Sequence, residues 1–525
     1  MVCTRAALHV RSVPGMACVV AVDAGTSGVR ALAVGEDGRV VDVAYRELTQ
    51  HFPHPGWVEH DPEEIRTLVE ATLVEVSARQ HEAGRTIAAV GVTNQRETVV
   101  AWDRSTGRPR HRALVWQDRR TAATCDRLRA AGHEDLVRRR TGLVLDPYFS
   151  ATKMAWLLTD AGVVPDDDLV LGTVDSWVIW NLTGGPSGGA LVTDPSNASR
   201  TLLFDIESWQ WSEELCALFG VPRRALTEVA PSCGRLGVVA GDLGSPGRPL
   251  HGVPLSGVAG DQQAALFGQA CFSPGMAKAT YGTGSFVLCN VGTELPAPAE
   301  GLLTTAAWDL GGQSAAPRAY ALEGSVFVTG AAIQWLRDGL GLIEDAAAIG
   351  PLAASVANTE GVYLVPAFTG LGSPWWDPYA RGTLVGLSRG IGRAHVARAV
   401  VEAIAFQVRD VVDAMRGATT HDFTTLRVDG GASVLELLLQ LQADQIRVPV
   451  CRPTTTESTA LGAATLAGVA EGVWSLEELS SLWQADAEVA PKASQAAADS
   501  AHAGWRGAVE RARRWVPAEE PSEAR

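Results

Sequence analysis

An aspartate sits where the chain can least afford one. Asp261 lies in Gly260-Asp261-Gln262-Gln263, after the apolar run 254–259 and before Ala264-Ala265-Leu266-Phe267-Gly268. An acid placed between a short apolar run and small residues is costly to tuck inside, so it is kept for chemistry or for a turn. A carboxylate there can accept the proton of an attacking hydroxyl, which makes Asp261 a candidate general base. The plainer alternative is an acid capping a helix that starts at Gln262. A second acid, Asp23, ends the apolar run 17–23 beside Gly25-Thr26-Ser27-Gly28. Mg²⁺ prefers one or two carboxylates plus phosphate oxygens, so Asp23 and Asp261 are the candidate metal carboxylates.

The turn Gly25-Thr26-Ser27-Gly28 returns in the second half as Gly282-Thr283-Gly284-Ser285. Such a hairpin gathers backbone N–H groups and hydroxyls on one concave surface and can hold phosphate without a basic field. Gly430-Gly431 ahead of an apolar helical pattern would add a helix N-terminus. Phosphoryl transfer asks for positioning, charge neutralisation and an orienting carboxylate, which this set supplies. Arg96 and Glu97, in the polar cluster 93–98, give a donor fork and an acceptor suited to two hydroxyls of a polyol. Each motif also has a plain reading: ordinary hairpin turns for the glycines, and a surface ion pair worth about 0–1 kcal/mol for Arg96 and Glu97. His51, His54 and His60 cluster around Pro53, Pro55 and Trp57 and could be read as a metal site, but no acid or Cys pattern supports it.

Positioning these residues calls for an α/β chain. The runs 17–23, 29–34 and 39–46 read as three antiparallel strands, followed by a helix with Asp61 as N-cap and Pro62 at its first position. Strand 87–93 ends on the polar cluster, and Trp116-Gln117-Asp118-Arg119-Arg120 reads as the start of an Arg-rich helix. The plan starts over with strands 276–282 and 286–291, so two related lobes face each other across a cleft. A helix over about 325–340, a long helix over 393–416, a strand at 425–429 and a docked C-terminal helix face with Trp505, Val509 and Trp515 follow.

At 525 residues the chain exceeds a single core, and 46% hydrophobic with 20% charged residues says that it folds. A formal net charge of -15 and the lack of a Lys/Arg-rich block argue against nucleic-acid partners. No apolar run is long enough to span a membrane, and Arg5, His9 and Arg11 interrupt the start, so a cytoplasmic protein is expected. The eight cysteines lack metal-ligand spacing and read as reduced thiols. Met16, directly before the first strand, is an alternative start.

These residues and their order resemble the FGGY family of carbohydrate kinases, and within it the glycerol kinases, from about residue 17 to 480. The stretches that carry the resemblance are Pro-Gly-Trp-Val-Glu-His-Asp-Pro at 55–62, Thr-Asn-Gln-Arg-Glu-Thr at 93–98, Asp-Pro-Tyr-Phe-Ser at 146–150, 260–268, Tyr-Gly-Thr-Gly at 281–284, and 366–378. The resemblance implies two actin-like (ribonuclease-H-like) lobes with the active site in the interlobe cleft, ATP and Mg²⁺ as cofactors, glycerol as acceptor, and a homo-oligomer, dimer or tetramer. The expected division is an extension at 1–16, lobes at 17–272 and 273–485, and a C-terminal helix with a disordered tail at 486–525. By resemblance Arg96, Glu97, Tyr148, Asp261 and Gln262 hold glycerol hydroxyls, while Trp116 and Phe286 pack on its carbons. Thr26, Ser27, Gly28 and Arg30 meet phosphates; Thr283, Gly330, Gln334 and Gly431 line the rest of the nucleotide site. Two residues depart from the pattern: Ala24 stands where glycerol kinases usually carry Gln, and Leu435 where an Asn is usual. A related kinase with another acceptor, or a weakly catalytic regulatory paralogue, remain the alternatives.

Overall fold

The computed structural model describes residues 17–516 except 242, 246 and 316. The expected extension at 1–16 and the last nine residues of the tail lie outside the described residues.

The first half builds a six-stranded sheet from β1 (Ala17–Ala24), β2 (Gly28–Gly35), β3 (Val40–Glu47), β4 (Thr86–Asn94), β5 (Cys233–Val238) and β6 (Pro254–Gly260), in the order β5-β6-β4-β1-β2-β3. β1, β2 and β3 are antiparallel, whereas β4 and β6 run parallel to β1. β1 is buried along nearly its whole length, as its unbroken Ala-Cys-Val-Val-Ala-Val run requires of a strand covered on both faces. One of those faces carries α1 (Pro62–Glu82), where the Asp61 carboxylate accepts the Glu63 N–H at 2.9 Å and Pro62 occupies the first helical position.

The second half repeats the plan. Strands β7 (Met276–Tyr281), β8 (Ser285–Gly292), β9 (Leu303–Asp309), β10 (Arg318–Val326), β11 (Thr425–Asp429), β12 (Val450–Pro453) and β13 (Ala485–Val489) form a seven-stranded sheet in the order β9-β10-β8-β7-β11-β12-β13. The antiparallel pairs β7–β8 and β8–β10 and the parallel pair β7–β11 match the first sheet strand for strand. Its outer face carries the long helix Arg393–Ala418.

Between the sheets lie α2 (Asp261–Gly268) and α3 (Ser458–Ala470), which share one apolar core with both sheets. α3, from the second half of the chain, packs on the first sheet, and α2 packs on β7, β8 and β9. Backbone meets backbone here. A Cβ on Gly462 would run into the Ala264 carbonyl, and one on Gly91 into the Ala463 carbonyl, so neither position admits a side chain.

Four local expectations are corrected. Residues 116–121 form turns, and the helix begins only at Ala122, because the Asp118 carboxylate takes the N–H groups of Val58 and Arg120 instead of leaving them to a helix. β10 occupies 325–326, where Val326 pairs with Ser285, and the helix there is the short Gly330–Gln334 continued by a π turn. Gly431 opens a 3-10 turn over Gly431–Val434, and the α-helix begins at Glu436, because Gly430 (φ 84°) bends against the Tyr281 carbonyl. Trp505 and Val509 are buried on the C-terminal helix Gln495–Ala512 as expected, but Trp515 lies beyond its end and is 66% exposed.

Candidate active site

Three parallel strands end side by side. In register, Asp23 of β1 lies opposite Thr93 of β4, which lies opposite Ala259 of β6. The residues that follow, Arg96, Glu97 and Asp261, therefore emerge together at the carboxyl ends of the strands, where open α/β sheets bind ligands. The first half supplies Thr26, Arg96, Glu97, Trp116, Tyr148, Asp261 and Gln262, and β8 supplies Phe286, to one small cavity of about 40 Å³. Every acceptor residue expected from the sequence lines it. Thr26, expected at a phosphate, lines the same cavity.

Arg96 and Glu97 are buried, which removes the surface-pair reading. Arg96 forms a bidentate pair with Glu323, Nη1 to Oε2 at 2.6 Å and Nη2 to Oε1 at 3.0 Å, while its Nε lies 3.2 Å from Asp261 Oδ1. Arg200 donates from Nε to Glu97 at 2.7 Å and from Nη2 to Glu323 at 3.0 Å. Glu97 sits at φ 61°, a left-handed conformation that a non-glycine residue adopts at a cost and that here turns its carboxylate toward Arg200. Burial pushes the Glu323 carboxyl up, yet Arg200 and Arg96 outweigh it and hold the pKa at about 2. Burial raises Glu97 and Asp261 above the ordinary carboxylate range, against the lowering pull of Arg96 on both.

Asp261 is the first residue of α2, with Gly260 at the cap position, and its carboxylate accepts the Gln262 N–H at 2.7 Å. It keeps 31% of its side chain open, unlike the arginine beside it. Asp23 is raised to about 7 by burial and by the facing charge of Asp261, and its Oδ1 is buried without a hydrogen-bond partner. Tyr148 is pushed up by burial and by Glu97, so it keeps its hydroxyl proton. Lys153 pins the turn that carries it, donating to the carbonyls of Pro147, Tyr148 and Phe149 at 2.7–2.9 Å.

On the second lobe the other hairpin ends β7. Thr283 accepts the N–H groups of Thr329 and Ala331, Gly330 N–H bonds the Gly282 carbonyl at 3.0 Å, and Gly430 packs on Tyr281. Thr283, Gly330 and Gly431 are thus brought to one place, with Gln334 at the end of the short helix that Gly330 starts. Ser27 is exposed on its hairpin, the Tyr45 ring covers Gly28, and Arg30 pairs with Glu457 of the second lobe at 2.7 Å. Leu435 is buried in the second lobe's core, within reach of Gly350.

The chain matches the model of the FGGY family of carbohydrate kinases, N-terminal domain, over residues 18–268, and that of the C-terminal domain over 277–471. It belongs to the FGGY family of carbohydrate kinases. Curated relatives include the glycerol kinase of Dechloromonas aromatica (strain RCB), 53% identical with 95% of this chain and 98% of that one covered. The glycerol kinase of Aromatoleum aromaticum is 52% identical over 96% of this chain and all of its own. Among solved structures, Plasmodium falciparum glycerol kinase with ADP superposes with a TM-score of 0.88 at 34% identity, covering 95% and 98% of the two chains. A xylulose kinase from Lactobacillus acidophilus, 20% identical with a TM-score of 0.82 over 94% and 96%, shares the fold.

Sequence reasoning missed Glu323, Arg200, Lys278 and Lys153 in this FGGY site. Glu323 and Lys278 are lone charges inside apolar strands, the very signal that marked Asp261. Lys278 is buried, held down to about 8 by that burial, and donates to Gln262 Oε1 and to Thr280.

Removing one partner of a buried pair leaves the others uncompensated, so Glu323→Gln should cost about 3–5 kcal/mol of stability at pH 7 by urea unfolding. Because its folded pKa lies below the ordinary 4.5, this contribution is complete above pH 4.5 and is lost as pH falls through about 2. A variant as stable as the parent at pH 7 would contradict the network.

Proposed function

We propose that this FGGY kinase transfers the γ-phosphoryl group of ATP to glycerol, giving sn-glycerol 3-phosphate and ADP. The observation that carries the reading is the acceptor cavity itself. Its lining sets the hydrogen-bonding groups of Arg96, Glu97, Tyr148, Asp261 and Gln262 beside the rings of Trp116 and Phe286, the combination a short polyol asks for. The names of the full-length relatives at about 50% identity agree with it.

In this reading Trp116 and Phe286 close on the carbon chain, while Glu97, Tyr148, Gln262 and Arg96 order its hydroxyls. A site built on such hydrogen bonds rejects analogues that lack them. Asp261 takes the proton of the attacking hydroxyl. Its raised pKa makes it a better base than an ordinary carboxylate, and its open face gives the acceptor access. The hairpins 25–28 and 282–285 receive the phosphates, with Gly330, Gln334 and Gly431 toward the nucleotide.

The residues present fit Mg²⁺. Asp23 offers a buried oxygen without a partner and faces Asp261, a pair of carboxylates suited to an ion that takes its remaining ligands from phosphate and water. Bound there, the ion would neutralise charge on the phosphates and relieve the repulsion between the two aspartates. A cytoplasmic setting agrees with seven free, buried cysteines among the described residues. A homo-oligomer is proposed as well, its size open to light scattering.

A coupled ADP-release assay with glycerol, dihydroxyacetone, erythritol and xylulose tests the acceptor: turnover should be highest on glycerol, and activity on xylulose alone would overturn the assignment. Asp261→Asn should reduce glycerol turnover by roughly two orders of magnitude or more while the protein stays folded. The metal reading has a readout apart from activity. Because Asp23 is raised from 3.8 to about 7, its ionised form destabilises the metal-free protein increasingly from pH 3.8 up to about 7. Asp23→Asn should therefore melt higher than the parent at pH 8 and equally at pH 4, and added Mg²⁺ should raise the parent's melting temperature only. An equal Mg²⁺ response in both proteins would remove Asp23 from the metal site.

A further inference from the structure

Trp116 does more than form a wall. Its indole Nε1 donates to the Thr26 hydroxyl at 2.9 Å, and both residues line the acceptor cavity. Its backbone is tied to the same hairpin by a second route. The Trp116 N–H bonds Thr98 Oγ1 at 3.2 Å, Thr98 Oγ1 donates to Gln95 Oε1 at 2.9 Å, and Gln95 Nε2 donates to the Gly25 carbonyl at 3.1 Å. The Gln95 N–H also bonds the Ala24 carbonyl at 3.0 Å. The circuit closes on itself: the hairpin holds the polar strand end, the strand end holds Trp116, and Trp116 holds the hairpin.

An indole N–H can only donate, and a threonine hydroxyl has one proton to give. Once Thr26 Oγ1 accepts from Trp116, its own proton is left for another partner, and Thr26 lines the cavity. The Trp116 ring meets the Tyr148 ring edge-on, with centroids 5.6 Å apart and an interplanar angle of 76°. An acceptor seated between these rings and Phe286 is therefore held relative to the hairpin that receives phosphate, the indole by the Thr26 bond and its backbone by the Thr98–Gln95 route.

We infer that the Trp116–Thr26 hydrogen bond registers the acceptor against the phosphoryl donor, which makes Trp116 a positioning residue for the transfer step in addition to a packing surface. This rests on the phosphoryl-transfer reading above. Misplacing two reacting groups by about 1 Å can cost on the order of 100-fold in rate, so a bond that fixes the indole against the hairpin reaches turnover without changing how tightly the acceptor is gripped.

Trp116→Phe isolates the bond, because it keeps an aromatic ring against the acceptor and deletes only the N–H and part of the indole. Expected is a fall in kcat of roughly 10–100-fold with the glycerol KM within about 3-fold of the parent. On a Thr26→Val background, where the bond has no acceptor, the same substitution should have no further effect, whereas on Thr26→Ser, which keeps the hydroxyl, it should retain its full effect. A raised glycerol KM with kcat unchanged, a kcat equal to the parent's, or an undiminished effect on the Thr26→Val background would each overturn the inference. Circular dichroism melts of each variant establish that the folded protein is being assayed. If the parent itself fails to phosphorylate glycerol, the proposed function falls; if the parent turns over and Trp116→Phe is unaffected, only this inference does.

Discussion

The site depends on a buried charge set in which cations and carboxylates are densely paired. Arg96, Arg200 and Lys278 stand against Glu97, Glu323 and Asp261 in a region closed to water except at Asp261. Each charge alone would be prohibitive there, and only dense mutual pairing makes the group tolerable. Glu323 is the keystone, since it binds both arginines and comes from the second lobe while they come from the first. With both terminal nitrogens of Arg96 bonded to Glu323, its Nε is the atom that lies 3.2 Å from Asp261. The base is steadied without being neutralised by a full bidentate partner.

The rest of the architecture serves to bring those charges together. Two copies of one sheet plan are set back to back, with α2 and α3 crossing between them and glycines removing the side chains that would hold the helices apart. α2 begins with Asp261 and packs on the second sheet, so the base is carried on the element that joins the lobes. Phe286 on β8 and the pair Arg30–Glu457 cross the same cleft. A change in lobe angle would thus act on the acceptor cavity, the phosphate hairpin and the base at once.

Much of this was legible in the sequence for physical reasons. Strand runs with continuous apolar residues, Asp61-Pro62 at a helix start and the repeated Gly-Thr hairpin are local signals, and local signals survive without a structure. The acceptor set was legible because its residues fall in long, ordered motifs. What escaped notice was long-range pairing: nothing adjacent to Glu323 names Arg96, more than two hundred positions away. Its signal was present, as a lone acid in Ala-Leu-Glu-Gly-Ser-Val, and the argument applied to Asp261 would have found it. Turn chemistry misled in the other direction at 116–121, where a side-chain carboxylate displaced the expected helix, and at Gly431, where the close approach to Tyr281 delays the helix to Glu436. Thr26 was assigned to phosphate alone because sequence order cannot show that the first hairpin folds over the acceptor cavity.

The central claim is that burial raises the proton affinity of Asp261 and that Glu323, by its charge and by its hold on Arg96, adds to the rise. The most direct test is the acid limb of kcat/KM for the acceptor as a function of pH, measured for the parent and for folded Glu323→Gln under the same conditions. Loss of the Glu323 charge removes an influence that raises Asp261 and frees Arg96 to turn toward it, and both changes favour the carboxylate form. The acid limb should move to lower pH in the variant. A limb that stays in place or moves to higher pH would contradict that claim.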